Sequence, residues 1–541
     1  MRERIDTRRH QQLIALCSKI VPTYTVKNDQ NHVTTHADRP ALTFIDEAST
    51  TQSFAQLQLR AWQTGNVLQN AGVGRGDRVA ILARNAPVFY ELALAVSRLG
   101  AAMVGLNWRL AAPEIDVILA NAEPALLLVD PDLAHLISDT ARATVEPTAI
   151  RSLPEFSTAV DAASTAAPTA SGQADDVVFI LYTSGTTGIP KGVQLTNRNM
   201  AHSAWIGGHA YGMTDTSTNL VAMPLFHVGG MGYGLSAFFG GGHTVLRRDP
   251  DPVAVVQAIE EHRVTHTFLV PAVLQAVLDL EGVEAADLSS LELLVYGASP
   301  IGDAVLRRAI QVLGCDFLQA YGMTETAGTV VTLPSSDHDP DGPRAGLLRS
   351  CGRALPWVEV RIVDPVSIAA GAPEDAAVGE VGEIWTRSGQ NTPGYRNLPE
   401  ESAAAITAEG WLRTGDAAFA DENGYLFLFD RFKDMIVSGA ENVYPAEVEN
   451  VLYDHPDIAE AAVIGVPDDR WGETVKAVIV PRDGQTIDPS SIIEMCRSRL
   501  ARYKCPTSID TVDALPRNAS GKILKTELRA PYWQGRDRQI S

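Results

Sequence analysis

From Ala41 onward the chain alternates short apolar stretches with amphipathic ones, and this alternation restricts it to helix-covered, largely parallel sheets. Strands are expected at Ala41 to Ile45, Asp77 to Leu82, Ala102 to Leu106, Ala125 to Val129, Val177 to Leu181, Thr267 to Val270 and Leu293 to Tyr296, with helices at Gln56 to Ala71 and Pro87 to Leu99. Pro147 to Ala174, rich in Ala, Ser, Thr and Pro, is expected to be a loop. After about Leu333 the texture turns to short strands, at Glu359 to Val363, Gly382 to Arg387 and Tyr425 to Phe429. Beyond Arg431 come strands at Ala461 to Val466 and Val475 to Val480 and a helix from Pro489 to Ala501. The expected fold class is therefore α/β. Residues 1–430 form a large N-terminal domain of parallel, helix-covered sheets with a small β-rich subdomain, and residues 431–541 a smaller α+β domain. At 541 residues, one hydrophobic core would not suffice.

Charge removes one class of function. Lys plus Arg number 44 against 65 Asp plus Glu, a formal charge of −21, which disfavours a nucleic-acid partner. The five cysteines are scattered, with no C-x-x-C pair, as expected of reduced thiols in a cytoplasmic protein. Leu13 to Leu16, behind the N-terminal arginines, is too short an apolar run for a signal peptide. Thr216 to Leu246 lacks any Asp, Glu, Lys or Arg, but Pro224 and its glycines make it a poor membrane span. It is expected to be interior, walling a cavity. Peripheral membrane contact and a homodimer stay open.

The run Val177 to Leu181 ends in Tyr182-Thr183-Ser184-Gly185-Thr186-Thr187-Gly188-Ile189-Pro190-Lys191-Gly192. Glycines let the backbone approach an anion, hydroxyls donate to it, and Lys191 adds charge at the rim, which suits a polyphosphate. A Walker loop fails on spacing. Two residues separate Gly188 from Lys191, and no Ser or Thr follows the lysine to hold magnesium.

Four further stretches carry chemistry. Gln319-Ala320-Tyr321-Gly322-Met323-Thr324-Glu325 puts an aromatic ring, a hydroxyl and a carboxylate at the end of a strand, where open α/β sheets bind ligands. Thr324 and Glu325 offer the hard oxygens that Mg2+ prefers. Gly297-Ala298-Ser299 closes another strand, and Thr414-Gly415-Asp416 offers a carboxylate suited to two hydroxyl donors. Near the C-terminus, Pro516 to Lys522 ends in Gly521-Lys522, whose ammonium remains charged at neutral pH.

Together with the loop, these motifs resemble the adenylate-forming superfamily, and most nearly its bacterial medium- and long-chain fatty acyl-CoA synthetases, over about residues 40 to 530. The resemblance implies a fatty acid–CoA ligase using ATP, Mg2+ and coenzyme A as co-substrates. The acid is activated to acyl-AMP with release of pyrophosphate, and the acyl group then passes to CoA. It implies Lys522 as the catalytic lysine, with Glu325 and Thr324 at the magnesium. Thr183, Ser184, Gly185, Thr186, Thr187, Gly188 and Lys191 are implied at the phosphates. Gly297, Ala298, Ser299, Gln319, Ala320 and Tyr321 are implied at the adenine, and Asp416 with Arg431 at the ribose. Lys433 is the implied hinge of a mobile C-terminal domain, and Ser438 with Gly439 the CoA contact, although Ala440 stands where a second glycine is usual.

Phe226-His227-Val228-Gly229-Gly230 lies in the uncharged segment. Related amino-acid-activating domains place an Asp where this chain has His227, so an α-amino acid substrate is disfavoured. His227 is implied at the carboxylate, with Val228, Gly229, Gly230 and Gly234 around the acyl pocket. The glycines leave room for something long or flat: a fatty acid first, an aryl acid of cinnamate or benzoate type as nearest rival. A non-catalytic sensor of acyl-AMP or ATP is the reading from another class.

Overall fold

The alternating pattern becomes two parallel-rich sheets packed through shared helices. A computed structural model describes residues 36–534 apart from 47–48, 146–148, 170, 184–189, 300, 432–433, 439–440, 469–470 and 518–522. The larger sheet has nine described strands. Asp316–Met323, Leu293–Gly297, His266–Leu269, Thr218–Val221, His243–Arg247 and Pro40–Ile45 run parallel in that order, flanked by antiparallel edge strands. The inner strands are buried on both faces, as expected for sheets covered by helices.

The second sheet orders its strands as Ile150–Ser152, Leu126–Val129, Arg78–Leu82, Ala102–Leu106, Val177–Thr183 and Lys191–Thr196. All neighbours are parallel except the last pair, an antiparallel one that flanks the glycine-threonine stretch in sequence. Four antiparallel strands, Glu359–Val363, Gly382–Arg387, Leu412–Ala420 and Leu426–Arg431, form the small β-rich sheet. A further sheet in the C-terminal part pairs Ile458–Asp468 with Gly472–Pro481 around its own apolar cluster.

Two expectations need correction. Pro147 to Ala174 is not simply a loop: Ile150–Ser152 adds a parallel strand, and Leu153–Asp161 is a helix burying Phe156 and Val160. Ser152 and Glu155 form a reciprocal capping box that starts this helix. The second correction concerns the glycines after His227. Thr216 to Leu246 is mostly interior, with every residue from Gly230 to Phe239 buried, and no described helix is long and apolar enough to cross a membrane. Two of those glycines, however, are there for packing and provide no open room. A Cβ on Gly230 would lie 2.1 Å from the Pro224 carbonyl oxygen, and one on Gly234 would meet the Tyr90 hydroxyl. They let the Val228–Phe239 helix press against the preceding turn and a neighbouring helix.

Candidate active site

The carboxyl ends of the parallel strands Leu293–Gly297 and Asp316–Met323 lie side by side, with Gly297 opposite Ala320. A Cβ on Gly297 would meet the Ala320 carbonyl oxygen at 2.1 Å, so the two backbones come this close only with glycine there. Ala298 follows in the left-handed region at φ 66°. Such a strand-end crevice is where ligands bind in sheets of this kind. Gln319 contributes a buried Oε1 with no hydrogen-bond partner among the described residues.

Tyr321 joins this crevice to the small antiparallel sheet. Its hydroxyl donates to Asp416 Oδ2 at 2.8 Å. Asp416 lies directly across the strand pair from Arg431, whose side chain is outside the described part. The turn before Asp416 is fixed by neighbours: Gly415 N–H donates to Glu383 Oε1 at 3.0 Å, and the Thr414 hydroxyl donates to the Ile384 carbonyl at 2.8 Å. Gly415 has φ 72°, which its lack of Cβ permits. Two motifs 95 residues apart in sequence thus meet through one hydrogen bond.

Glu325 sits in the 3-10 turn Thr324–Thr326 after the Asp316–Met323 strand and is buried. Its Oε1 accepts from the Tyr395 hydroxyl at 3.0 Å, and its backbone carbonyl accepts from the Thr392 N–H at 2.7 Å. Lys191 pairs with Thr183 across the two antiparallel strands, and its Nζ lies 5.3 Å from the Tyr395 ring centroid. Among the described residues no cluster of three or more His, Cys, Asp or Glu exists to cage a metal. One buried carboxylate, on the turn packed against the Lys191–Thr196 strand, fits Mg2+, which is commonly held by one or two carboxylates together with substrate phosphates.

His227 is the N-cap of the Val228–Phe239 helix, with its ring centroid 4.5 Å from that of Phe226. Its Nε2 is buried without a hydrogen-bond partner among the described residues. Burial, with a smaller contribution from Arg109, lowers its pKa to about 4, so the imidazole is neutral at physiological pH. His202 and His243 are likewise lowered to about 4, chiefly by burial. Between pH 6.5 and 4 the unfolded chain binds protons at these rings and the folded chain does not, so stability falls as the medium is acidified through that window. Each ring contributes about 1–3 kcal/mol once solvent screening is allowed for. Thermal unfolding from about pH 7.5 to about pH 4.5 should show a steep loss once the medium passes below the ordinary histidine range, shallower in His202→Gln; identical slopes would contradict this.

The helix that His227 caps packs into an aromatic cluster. The Tyr233 ring lies 5.6 Å from Phe268 and 5.5 Å from Tyr211 between centroids, and Gly229 lies against Phe268, whose ring a Cβ there would meet at 3.2 Å. The Tyr233 hydroxyl is buried with no hydrogen-bond partner among the described residues. Sequence reasoning singled out neither Tyr233 nor Tyr395. Gly394-Tyr395, an aromatic directly after a Pro-Gly turn, was the available signal for the latter. Structure brings together Gly297 with Ala320, Tyr321 with Asp416, and Lys191 with Glu325 through Tyr395. His227 has no described hydrogen bond to any of them, and Ser438 lies in the C-terminal sheet opposite Glu441. Ser184, Gly185, Thr186, Thr187, Gly188, Lys433, Gly439 and Lys522 lie outside the described residues.

This geometry coincides with a family match over most of the chain: residues 29–396 match the AMP-binding enzyme family, and residues 447–522 the AMP-binding enzyme C-terminal domain. The chain belongs to the AMP-binding enzyme family. It is similar to a feruloyl-CoA synthase of Amycolatopsis sp, 39% identical over 91% of this chain and 96% of that one. It is also similar to the fatty acid–[acyl-carrier-protein] ligase ScoC of Streptomyces coeruleorubidus, 36% identical over 91% and 93%. Among solved structures, ATP-bound MatB from Rhodopseudomonas palustris superposes with a TM-score of 0.84 at 30% identity, covering 93% of this chain and 98% of that one. As a member of the AMP-binding enzyme family, the chain is an ATP-dependent, AMP-forming acid–CoA ligase with ATP, Mg2+ and CoA as co-substrates. The large N-terminal part with its parallel sheets and the smaller C-terminal part follow that family's architecture.

Proposed function

We propose that the acid is an aryl acid carrying a polar ring substituent, of the hydroxycinnamate kind. The observation that carries this reading is the Tyr233 hydroxyl, buried without a described partner in a wall of aromatic rings. A buried hydroxyl with no partner costs about 1–3 kcal/mol, and a substrate hydroxyl or methoxy group would relieve it. Gly230 and Gly234 are filled by the Pro224 carbonyl and the Tyr90 hydroxyl, which removes the reason to expect a long chain there. The feruloyl-CoA synthase likeness supports the same class. A fatty acid is the second reading, supported by the likeness to ScoC.

In the proposed mechanism the acid's carboxylate attacks the α-phosphorus of ATP in line, pyrophosphate leaves, and the CoA thiol then displaces AMP from the acyl carbonyl. Holding the reactants in line supplies much of the rate. Thr183, Lys191 and the loop between them hold the β- and γ-phosphates. Asp416 and Arg431 take the ribose hydroxyls, and Gly297, Ala298, Ser299, Gln319, Ala320 and Tyr321 line the adenine. Glu325 and Thr324 would hold Mg2+, which neutralises phosphate charge when bound. His227, neutral, borders the carboxylate. Lys522 serves the first step and Gly439 the second, with the C-terminal domain turning about Lys433 between them.

Pyrophosphate release on a panel of hydroxycinnamates, unsubstituted cinnamate, benzoates and medium- to long-chain fatty acids tests the reading. Hydroxylated aryl acids should give the highest kcat/KM. Tyr233→Phe should lower it about 5- to 10-fold for them alone, the size of one buried hydrogen bond. Preference for a long-chain fatty acid would overturn the aryl assignment.

A further inference from the structure

The segment Asn391 to Asn397 is stitched to both halves of the nucleotide machinery. Gln194 N–H donates to the Gly394 carbonyl at 3.1 Å, Arg396 N–H to the Gly192 carbonyl at 2.8 Å, and the Thr392 hydroxyl to the Gln194 carbonyl at 2.6 Å. These bonds fix the segment along the strand that begins at Lys191. On its other side, Thr392 N–H donates to the Glu325 carbonyl at 2.7 Å. The Tyr395 backbone is pinned as well, its N–H donating to Ser402 Oγ at 2.9 Å. The Tyr395 side chain therefore has a fixed root and spans the gap between hairpin and turn. Its ring centroid is 5.3 Å from Lys191 Nζ, and its hydroxyl donates to Glu325 Oε1 at 3.0 Å.

We propose that Tyr395 is a positioning residue for the magnesium–triphosphate part of ATP, holding the Lys191 ammonium with its ring and the Glu325 carboxylate with its hydroxyl. This rests on the proposed roles of Lys191 at the phosphates and Glu325 at the metal. Two chemical facts favour it. An ammonium over an aromatic face is attracted by the ring quadrupole yet keeps its donors for an acceptor. A carboxylate that accepts a neutral hydroxyl keeps its full negative charge, and its two oxygens have lone pairs enough to serve a cation as well. One rigid side chain thus sets the separation of a cation and an anion that act on the same phosphates. It does so without neutralising either, as a direct ion pair would.

Equilibrium titration of the full chain with MgATP and, separately, with AMP, both without acid so that no turnover occurs, tests this. Tyr395→Phe keeps the ring and removes the hydroxyl. It should weaken MgATP about 5- to 10-fold, with a raised Mg2+ requirement, while AMP affinity stays within about 2-fold. Tyr395→Leu, which removes both contacts, should weaken MgATP further, by about another 3- to 5-fold. In a Glu325→Gln background the Tyr395→Phe effect should shrink to less than about 2-fold, because the charged acceptor is gone. Equal weakening of AMP and MgATP would mean that Tyr395 only packs the site, and full retention of MgATP affinity in Tyr395→Phe would end the proposal. Failure of the wild-type chain to bind MgATP would instead strike the roles given to Lys191 and Glu325, and with them the proposal that rests on them.

Discussion

Lys522→Ala should lower pyrophosphate release from acid and ATP by about 10²- to 10³-fold, the usual loss when one preorganised charge aimed at a developing anion is removed. The reasoning is electrostatic. As the carboxylate oxygen approaches the α-phosphorus, two anions are forced together, and an ammonium between them stabilises the transition state more than the ground state. Thioester formation from preformed acyl-AMP and CoA involves no such approach of anions. That half-reaction should stay within several-fold of wild type in the same variant. Single-turnover assays of each half-reaction separate the two outcomes. Equal loss in both would show that Lys522 serves the fold or both steps, and the division of labour between the two ends of the chain would have to be abandoned.

The second large effect is expected at Asp416. Asp416→Ala should weaken AMP and ATP alike by about 10²- to 10³-fold, because a carboxylate accepting two ribose hydroxyls makes charged hydrogen bonds of about 1.5–3 kcal/mol each. A separate cost falls on the protein itself. The buried Tyr321 hydroxyl loses its 2.8 Å acceptor, and unfolding stability should drop by about 1–2 kcal/mol. The double variant Tyr321→Phe with Asp416→Ala removes the stranded hydroxyl. Stability should return towards wild type while nucleotide affinity remains low. Chemical denaturation and AMP titration read the two effects independently. Recovery of affinity along with stability would mean that Asp416 acts on the nucleotide only by holding Tyr321.

Much of this architecture was legible because local pattern and tertiary role agree. The strands Ala102–Leu106 and Leu293–Gly297 are continuous apolar runs, the mark of strands buried on both faces. The Leu153–Asp161 helix was missed because its surroundings are rich in Ala, Ser, Thr and Pro, although Ser152-Leu153-Pro154-Glu155 carries a complete capping-box signature. There a specific local signal outweighs the composition around it. The glycines at 230 and 234 misled in another way: a glycine in sequence says that something comes close, not whether that something is ligand or protein. Tyr395 and Tyr233 were hidden for a different reason. The Pro-Gly step marks a turn before Tyr395 but not the carboxylate 70 residues away from which that side chain takes its meaning, and no local pattern reports that the Tyr233 hydroxyl is buried without a described partner.

The seam between Asn391 to Asn397 and the phosphate hairpin also bears on how the protein is made. Its bonds close very long loops: the Thr392 hydroxyl reaches the Gln194 carbonyl 198 residues back, and beside the seam Asn199 Nδ2 reaches the Gly389 and Asn391 carbonyls across 190 and 192 residues and Asn121 Nδ2 the Arg396 carbonyl across 275. Contacts of such separation form late, since chain entropy is lost before they are gained. During synthesis the hairpin strands emerge from the ribosome long before the residues that brace them. On the proposed phosphate role of Thr183 and Lys191, competence to grip a nucleotide is then acquired only near the end of the large domain's synthesis.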